Sequence, residues 1–349
     1  MRTAPLALTC LALPALACSG AGPPHMQTLD PLSIGTESSL RGLCAVDRDV
    51  AWATGSGGTI VVTSDGGETW RAVAPTELAE LDVRDVHALD DSTAWVMCAG
   101  PGEKSRILHT EDGGDTWEEQ HRERDEAAFL DGFAFFDAER ALCYGDPMAD
   151  GGFRLLRTED GGASWVPVAP GPLALPSGEA SFAASGTGIR ALASGEVWII
   201  TGANDGVSRV FASAGAEGAL WSVSDSTLRA PKPAAGAFSI AFEPGGHGVV
   251  VGGDYQRRED GGVHCASWSD DFGANWYPCD VGPRGQRAGS AALGGGVFIA
   301  TGQTGTDISR DGGRTWSALS DLGFHCVEAS PSDGSVWFAG PNGRAGRLR

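Results

Sequence analysis

Apolar residues arrive along the chain in short bursts that end in glycine. They read AWATG from Ala51, AWVMCAG from Ala94, ALCYG from Ala141, VWIITG from Val197, GVVVGG from Gly248, VFIATG from Val297 and VWFAG from Val336. Bursts this short, bounded by glycine and rich in β-branched and aromatic residues, predict buried strands rather than helices. Shorter runs flank each burst. In the second unit, VRDVHAL, TAWVMCA, SRILHT and TWEEQH predict four successive strands. No segment carries a helical apolar period with capping residues at its ends.

A second pattern follows most bursts: Ser/Thr-x-Asp-x-Gly-x-Thr/Ser-Trp. It reads TSDGGETW at Thr63–Trp70, TEDGGDTW at Thr110–Trp117, TEDGGASW at Thr158–Trp165, SDDFGANW at Ser269–Trp276 and SRDGGRTW at Ser309–Trp316. A degraded copy, AGAEGALW, spans Ala214–Trp221 and has Ala216 where the others have aspartate. The chemistry is that of a hairpin turn. Aspartate accepts from turn amides, glycine takes the positive φ, and tryptophan opens the return strand with a large apolar surface. Asp65, Asp112, Asp160, Asp271 and Asp311, with Trp70, Trp117, Trp165, Trp276 and Trp316, are therefore assigned to structure. Calcium-loop spacing is absent, so these aspartates are not read as metal ligands.

Of 11 tryptophans only Trp268 lies outside the two patterns. A four-strand unit repeated seven times predicts an all-β, seven-bladed β-propeller of four-stranded antiparallel blades, a single domain over residues 26–349. One blade cannot bury both faces, so blades stack in a ring. The seventh unit ends after its third strand, and Met26–Pro31 stands where a fourth strand would precede the first unit. This N-terminal strand is expected to pair with the last blade and close the ring, leaving no open edge.

The eight-residue turns resemble the BNR/Asp-box repeats of sialidases and related secreted propellers. Longer strings resemble a bacterial group related to the photosystem II stability/assembly factors. These are LRGLCAVD at Leu40–Asp47, GDP at Gly145–Pro147, SGEASFAASGT at Ser177–Thr187, VVVGGDY at Val249–Tyr255, and FHC at Phe324–Cys326 with VWFAGPNGRAGRL at Val336–Leu348. The resemblance implies a seven-bladed propeller and a binding or assembly role; it implies no photosynthetic role.

The N-terminus adds an address. Arg2 precedes an apolar stretch from Pro5 to Ala17 that is too short to span a bilayer, and Ala15-Leu16-Ala17 is a small-x-small signal before Cys18. Residues 1–17 are expected to be a signal peptide, Cys18 a lipidation site that alone would tie the protein to a membrane, and 18–25 a linker. Export to the periplasm or cell envelope follows. With 8 cysteines in all, setting aside Cys10 and Cys18 leaves six. Of these, Cys265 and Cys279 flank one hairpin symmetrically and are the disulfide candidate. Glycine, at 52 of 349 residues, is about twice average usage, as many tight turns require. A formal charge of −20 argues against nucleic acid as partner.

A propeller presents ligands at the mouth of its central channel, where the innermost strands begin. The aligned entry positions are Arg41, Arg84, Asp131, Ser181, Ala237, Arg287 and His325, with Asp85 and Glu179 beside them. Arginine forks suit carboxylate or phosphate. The expected partner is a protein or a small anionic ligand, bound by a monomeric scaffold without metal or cofactor. The same residues could instead form an Arg–Asp network that cross-links blades. The turns at Gly145–Pro147 and Asp254–Tyr255 follow second strands and could rim a mouth. The alternative function is a glycan-cleaving enzyme, sialidase-like or another hydrolase or lyase. It would need facing carboxylates such as Asp131 with Glu179 or Asp85. Tyr144, Tyr255 and Tyr277 are the only tyrosines available as nucleophile, and the best approach to a sialidase arginine motif is Phe153-Arg154-Leu155-Leu156. Neither G-x-S-x-G nor H-E-x-x-H occurs.

Overall fold

The computed structural model describes residues 28–168, 175, 179–202, 206–214 and 221–349. The expected signal peptide, lipidation site Cys18 and linker (residues 1–25), Met26 and most of the degraded turn at 214–221 lie outside the described residues. The described chain forms seven four-stranded antiparallel sheets, and its helical segments are short 3-10 turns. Blades 1 to 6 take residues 40–72, 82–122, 130–167, 189–230, 235–278 and 289–320 in turn. Blade 7 joins Cys326–Ala329, Val336–Ala339 and Arg344–Leu348 to a fourth strand from the other end of the chain, Leu29–Ser33. Leu29 pairs with Leu348 and Ser33 with Arg344.

The first strand of each blade lies innermost and packs against the first strand of the next, from Leu40–Ala45 round to Cys326–Ala329 and back. These inner strands mix apolar and polar residues: in Asp82–Ala88, Val83, Asp85, Val86 and Ala88 are buried while Asp82, Arg84 and His87 are half-buried. The second-strand bursts of the sequence are the buried middle of each blade: Ala51–Gly55 and Ala94–Ala99 are buried at every position.

The repeated turn is built the same way five times. The leading hydroxyl of Thr63, Thr110, Thr158, Ser269 or Ser309 donates to Oδ1 of the following aspartate. That hydroxyl oxygen also accepts the glycine N–H four residues on, at 2.7–3.0 Å. The aspartate then accepts the backbone N–H of the residue before tryptophan and, through Oδ2, its side chain. The side-chain and backbone bonds from Thr69 and Thr116 hold the Asp65 and Asp112 carboxyls down at about 2. In the blade 5 copy Phe272 stands where the others have glycine and adopts φ +59°, and Asn275 replaces the hydroxyl donor.

Tryptophans lock blade to blade. The Trp52 indole N–H of blade 1 donates to the Asp90 carbonyl of blade 2, and Trp95 of blade 2 donates to Gly161 in the turn of blade 3. Trp198 reaches Phe272 of blade 5, and Trp337 of blade 7 reaches Asp47 of blade 1, each at 2.8–2.9 Å. Turn tryptophans press back on the preceding blade: Trp117 meets Trp52 edge-on at 6.4 Å, and Trp70 meets Trp337 at 6.1 Å.

The expected Cys265–Cys279 disulfide is not formed. Both are buried free thiols. Cys265 closes a 3-10 turn, Val263–Cys265, and faces the Asp260 carbonyl at 3.4 Å; Cys279 follows the edge strand and faces the Ala266 carbonyl at 3.5 Å. Symmetric spacing about the hairpin did not register the 3-10 turn that redirects Cys265.

Trp52→Ala removes a fully buried side chain from the seam between blades 1 and 2 and is expected to cost about 3–5 kcal/mol in denaturant unfolding. Trp52→Phe, which loses the bond to Asp90 but keeps apolar bulk, should cost clearly less.

Candidate functional site

At one end of the channel the inner strands share an irregularity. The pairing of first with second strand skips one residue at Arg41 in blade 1, at Arg84 in blade 2, at Asp131 in blade 3 and at Phe238 in blade 5. Blades 6 and 7 do likewise. Ala288 N–H and its neighbour Gly289 both address Thr301, and His325 N–H and its neighbour Cys326 both address Ala339. A bulge adds one residue to a strand and turns its side chain out of the alternation. Here each bulge turns a side chain towards the axis.

Blade 4 enlarges the device. Its first strand is only Ile189–Ala191, and the chain between the Ala180–Gly202 bridge and Ile189 leaves the sheet. This excursion, residues 181–188, crosses the channel. Its Ala183 carbonyl accepts from Arg84 Nη1 of blade 2 at 2.5 Å, and Ser185 Oγ donates to the Ala288 carbonyl at 2.7 Å. Ile240 N–H of blade 5 donates to the Thr187 carbonyl, and a hydroxyl chain runs from Thr187 through Ser239 to Ser290. Gly186 has φ +73°, and a Cβ there would lie 2.2 Å from Asp85 Oδ1, so only glycine fits. Elsewhere in the channel Arg190 of blade 4 meets Glu328 of blade 7 at 3.7 Å.

The result is a cup of about 430 Å³ floored by the excursion. Its basic wall is Arg41, Arg84 and Arg258, with His325 among them. Arg84 is held by Asp82 at 2.8 Å and by the Ala183 carbonyl, while its Nε is buried without a partner. Arg41 and Arg258 have no side-chain acceptor among the described residues. Burial, then Arg84, lowers Arg41 to about 10. Burial, then the three arginines, lowers His325 to about 3, so it stays neutral and exchanges a hydrogen bond with Ser39 Oγ at 3.1 Å. The acidic wall is Asp131 and Asp146. Burial and the neighbouring Asp146 push Asp131 well up, and its Oδ2 has no donor. Burial also raises Asp146, which accepts the Ser181 N–H at 3.2 Å. The apolar wall is a stacked pair, Phe182 and Phe238, with centroids 4.0 Å apart and Tyr255 edge-on to both.

The structure thus brings together Arg41, Arg84, Asp131, Ser181 and His325. Ala237 and Arg287 do not line the cup; their neighbours Phe238, Gln286 and Ala288 do. A one-residue offset along a strand reverses the face a side chain points to. Arg287 is fully buried and donates from Nε and Nη2 to Asp307, which Arg284 also holds. Glu179 is engaged by Arg209 and Thr201. Asp85 lies outside the lining and bridges blades 2 and 3, accepting Val86 N–H and Phe133 N–H at 2.9 Å each. Alignment of entry positions did not find Arg258, which sits on the loop after the second strand of blade 5. Asp146 and Tyr255 occupy the two turns whose place at a mouth the sequence left open.

No protein-family model matches the chain, and no curated protein matches it. Solved structures share the fold. A YCF48 bound to D1 peptide superposes with a TM-score of 0.64 at 17% identity, over 92% of this chain and 96% of that one. YCF48 from Cyanidioschyzon merolae gives 0.64 at 16% identity, over 92% and 98%. A chain of the mitotic checkpoint complex gives 0.61 at 14% identity, over 100% and 99%.

Burial raises Asp85 from 3.8 to about 7. Folding therefore favours its protonated form, and the stability present below the unfolded value is lost as pH rises towards 7. In Asp85→Asn, the decline in unfolding free energy between pH 4 and 7 should be shallower by up to about 1.4 kcal/mol per pH unit. Chemical denaturation across that range checks it.

Proposed function

We propose that the protein is an exported binding or assembly scaffold that recognises a protein partner or a small anionic ligand in the cup at the channel mouth. One observation carries the reading. Three arginines converge on a walled cavity in a strongly acidic protein, and two of them, Arg41 and Arg258, have no side-chain acceptor among the described residues. Arg41 is half-buried, and an uncompensated guanidinium there is costly unless an acid arrives; Arg258 stands exposed at the rim, and the planar fork of each rewards a carboxylate or phosphate. The likeness in fold to YCF48, one structure of which holds a D1 peptide, supports a peptide-bearing partner. The stacked phenylalanines give such a partner apolar surface beside its acid. Residues 1–17 and Cys18 supply the export signal and the lipid anchor in this reading, on the strength of their sequence pattern.

The glycan-cleaving alternative loses the pairs it would use. Glu179 is occupied by Arg209, and Asp85 lies outside the cup.

The test is a cross-linked pull-down of the tagged protein from its native envelope fraction, beside the triple variant Arg41→Ala/Arg84→Ala/Arg258→Ala. Partners of the parent protein should fall at least about tenfold in the variant, the loss expected when charge-assisted bonds are removed. An identical set of partners with and without the arginines would overturn the assignment to the cup.

A further inference from the structure

The cup sets acids opposite its arginines, and an anion answers only one of the two walls. Opposite the arginines stand Asp131 and Asp146, lining the same cavity. Asp131 is 2% exposed, and its Oδ2 is buried with no donor. A buried carboxyl left without a donor costs free energy that a ligand's N–H groups can recover. Neither carboxyl forms an ion pair with an arginine of the cup: Arg84 bonds to Asp82 and the floor instead. The acidic wall is therefore not spent on neutralising the basic one.

We propose that the cup is a zwitterion site, which binds an α-amino acid or a close analogue with its carboxylate on Arg41 and Arg258, its ammonium on Asp131 and Asp146, and its apolar side chain against Phe182 and Phe238. The inference rests on the anionic-ligand reading above and narrows it. Three features fix the class. The excursion 181–188 closes the floor, so the ligand enters from one side and does not thread the channel. A volume of about 430 Å³ lies at the small end of ligand pockets, in the range of an amino acid with water. The phenylalanine pair, with Tyr255 edge-on, offers an aromatic or aliphatic side chain a flat, preformed surface.

Calorimetry with three probes separates the groups: free L-phenylalanine, 3-phenylpropionate, which lacks the amine, and phenethylamine, which lacks the carboxylate. L-Phenylalanine should bind at least about tenfold more tightly than either, since each deletion leaves one charged wall unpaired. Asp131→Asn should abolish the advantage over 3-phenylpropionate while leaving 3-phenylpropionate binding intact, which also shows that the variant is folded. Equal affinity for L-phenylalanine and 3-phenylpropionate would overturn the zwitterion assignment. If that shared affinity still vanished in Arg41→Ala, the cup would stand as a plain anion site and the proposed function would survive. Failure of all three probes to bind would also overturn the zwitterion assignment, and the pull-down would then judge the partner reading alone.

Discussion

A propeller blade is too thin to hold itself together, so everything here depends on the seam between one blade and the next. In this chain the seam is an indole. A tryptophan in the buried second strand donates across the gap to a turn carbonyl of the following blade, as Trp52 does to Asp90 and Trp198 to Phe272. The eight-residue turn of the following blade, held in shape by its own aspartate, receives the indole itself at Gly161 and Phe272, and sends a second tryptophan back against the preceding blade, as Trp117 does to Trp52. The aspartates are therefore half of a lock. Their low proton affinity follows from the donors they organise, and they lie at the opposite end of the blades from the cup.

With the ring fixed in this way, the mouth can be irregular. A strand's side chains alternate strictly, so a regular inner strand offers the axis a monotonous set of small residues. The bulge breaks the alternation at the same height in the inner strands, delivering Arg41, Arg84, Asp131, Phe238, Ala288 and His325 to one layer. Blade 4 carries the device furthest and spends a whole segment on it, which closes the channel and pins Arg84. The walls of the cup come from different blades: Arg41 and Arg84 from blades 1 and 2, with Arg258 from the loop of blade 5 and neutral His325 from blade 7; the acids from blade 3; the aromatic pair from blades 4 and 5.

The fold was legible because its two patterns are local. Apolar bursts ending in glycine and an aspartate turn ending in tryptophan each describe a few consecutive residues, and together they mark the blades. Four titratable cup positions, Arg41, Arg84, Asp131 and His325, were legible too, because the bulge falls about ten residues before the start of the second strand. The expected positions Ala237 and Arg287 each fall one residue short of those that line the cup, Phe238 and Ala288. A bulge has no composition of its own in the sequence, and Arg287 is drawn away by Asp307, a residue two strands later. Arg258 comes from a loop that shares no pattern with the inner strands, so no periodicity reveals it. The Cys265–Cys279 pairing failed for a related reason, a 3-10 turn that spacing does not register.

The central claim is that the plugged, arginine-bearing cup is where this protein meets its ligand. Tyr255 and Tyr277 make a matched pair for testing it, since each is 42% exposed, one on the cup's aromatic wall and the other on the outer edge of blade 5. A photo-cross-linking amino acid would replace each in turn in the native host, with and without Arg41→Ala. The account predicts adducts from position 255 that disappear when Arg41 is lost, and none from position 277. Adducts from position 277 alone, or adducts from position 255 indifferent to Arg41, would contradict it.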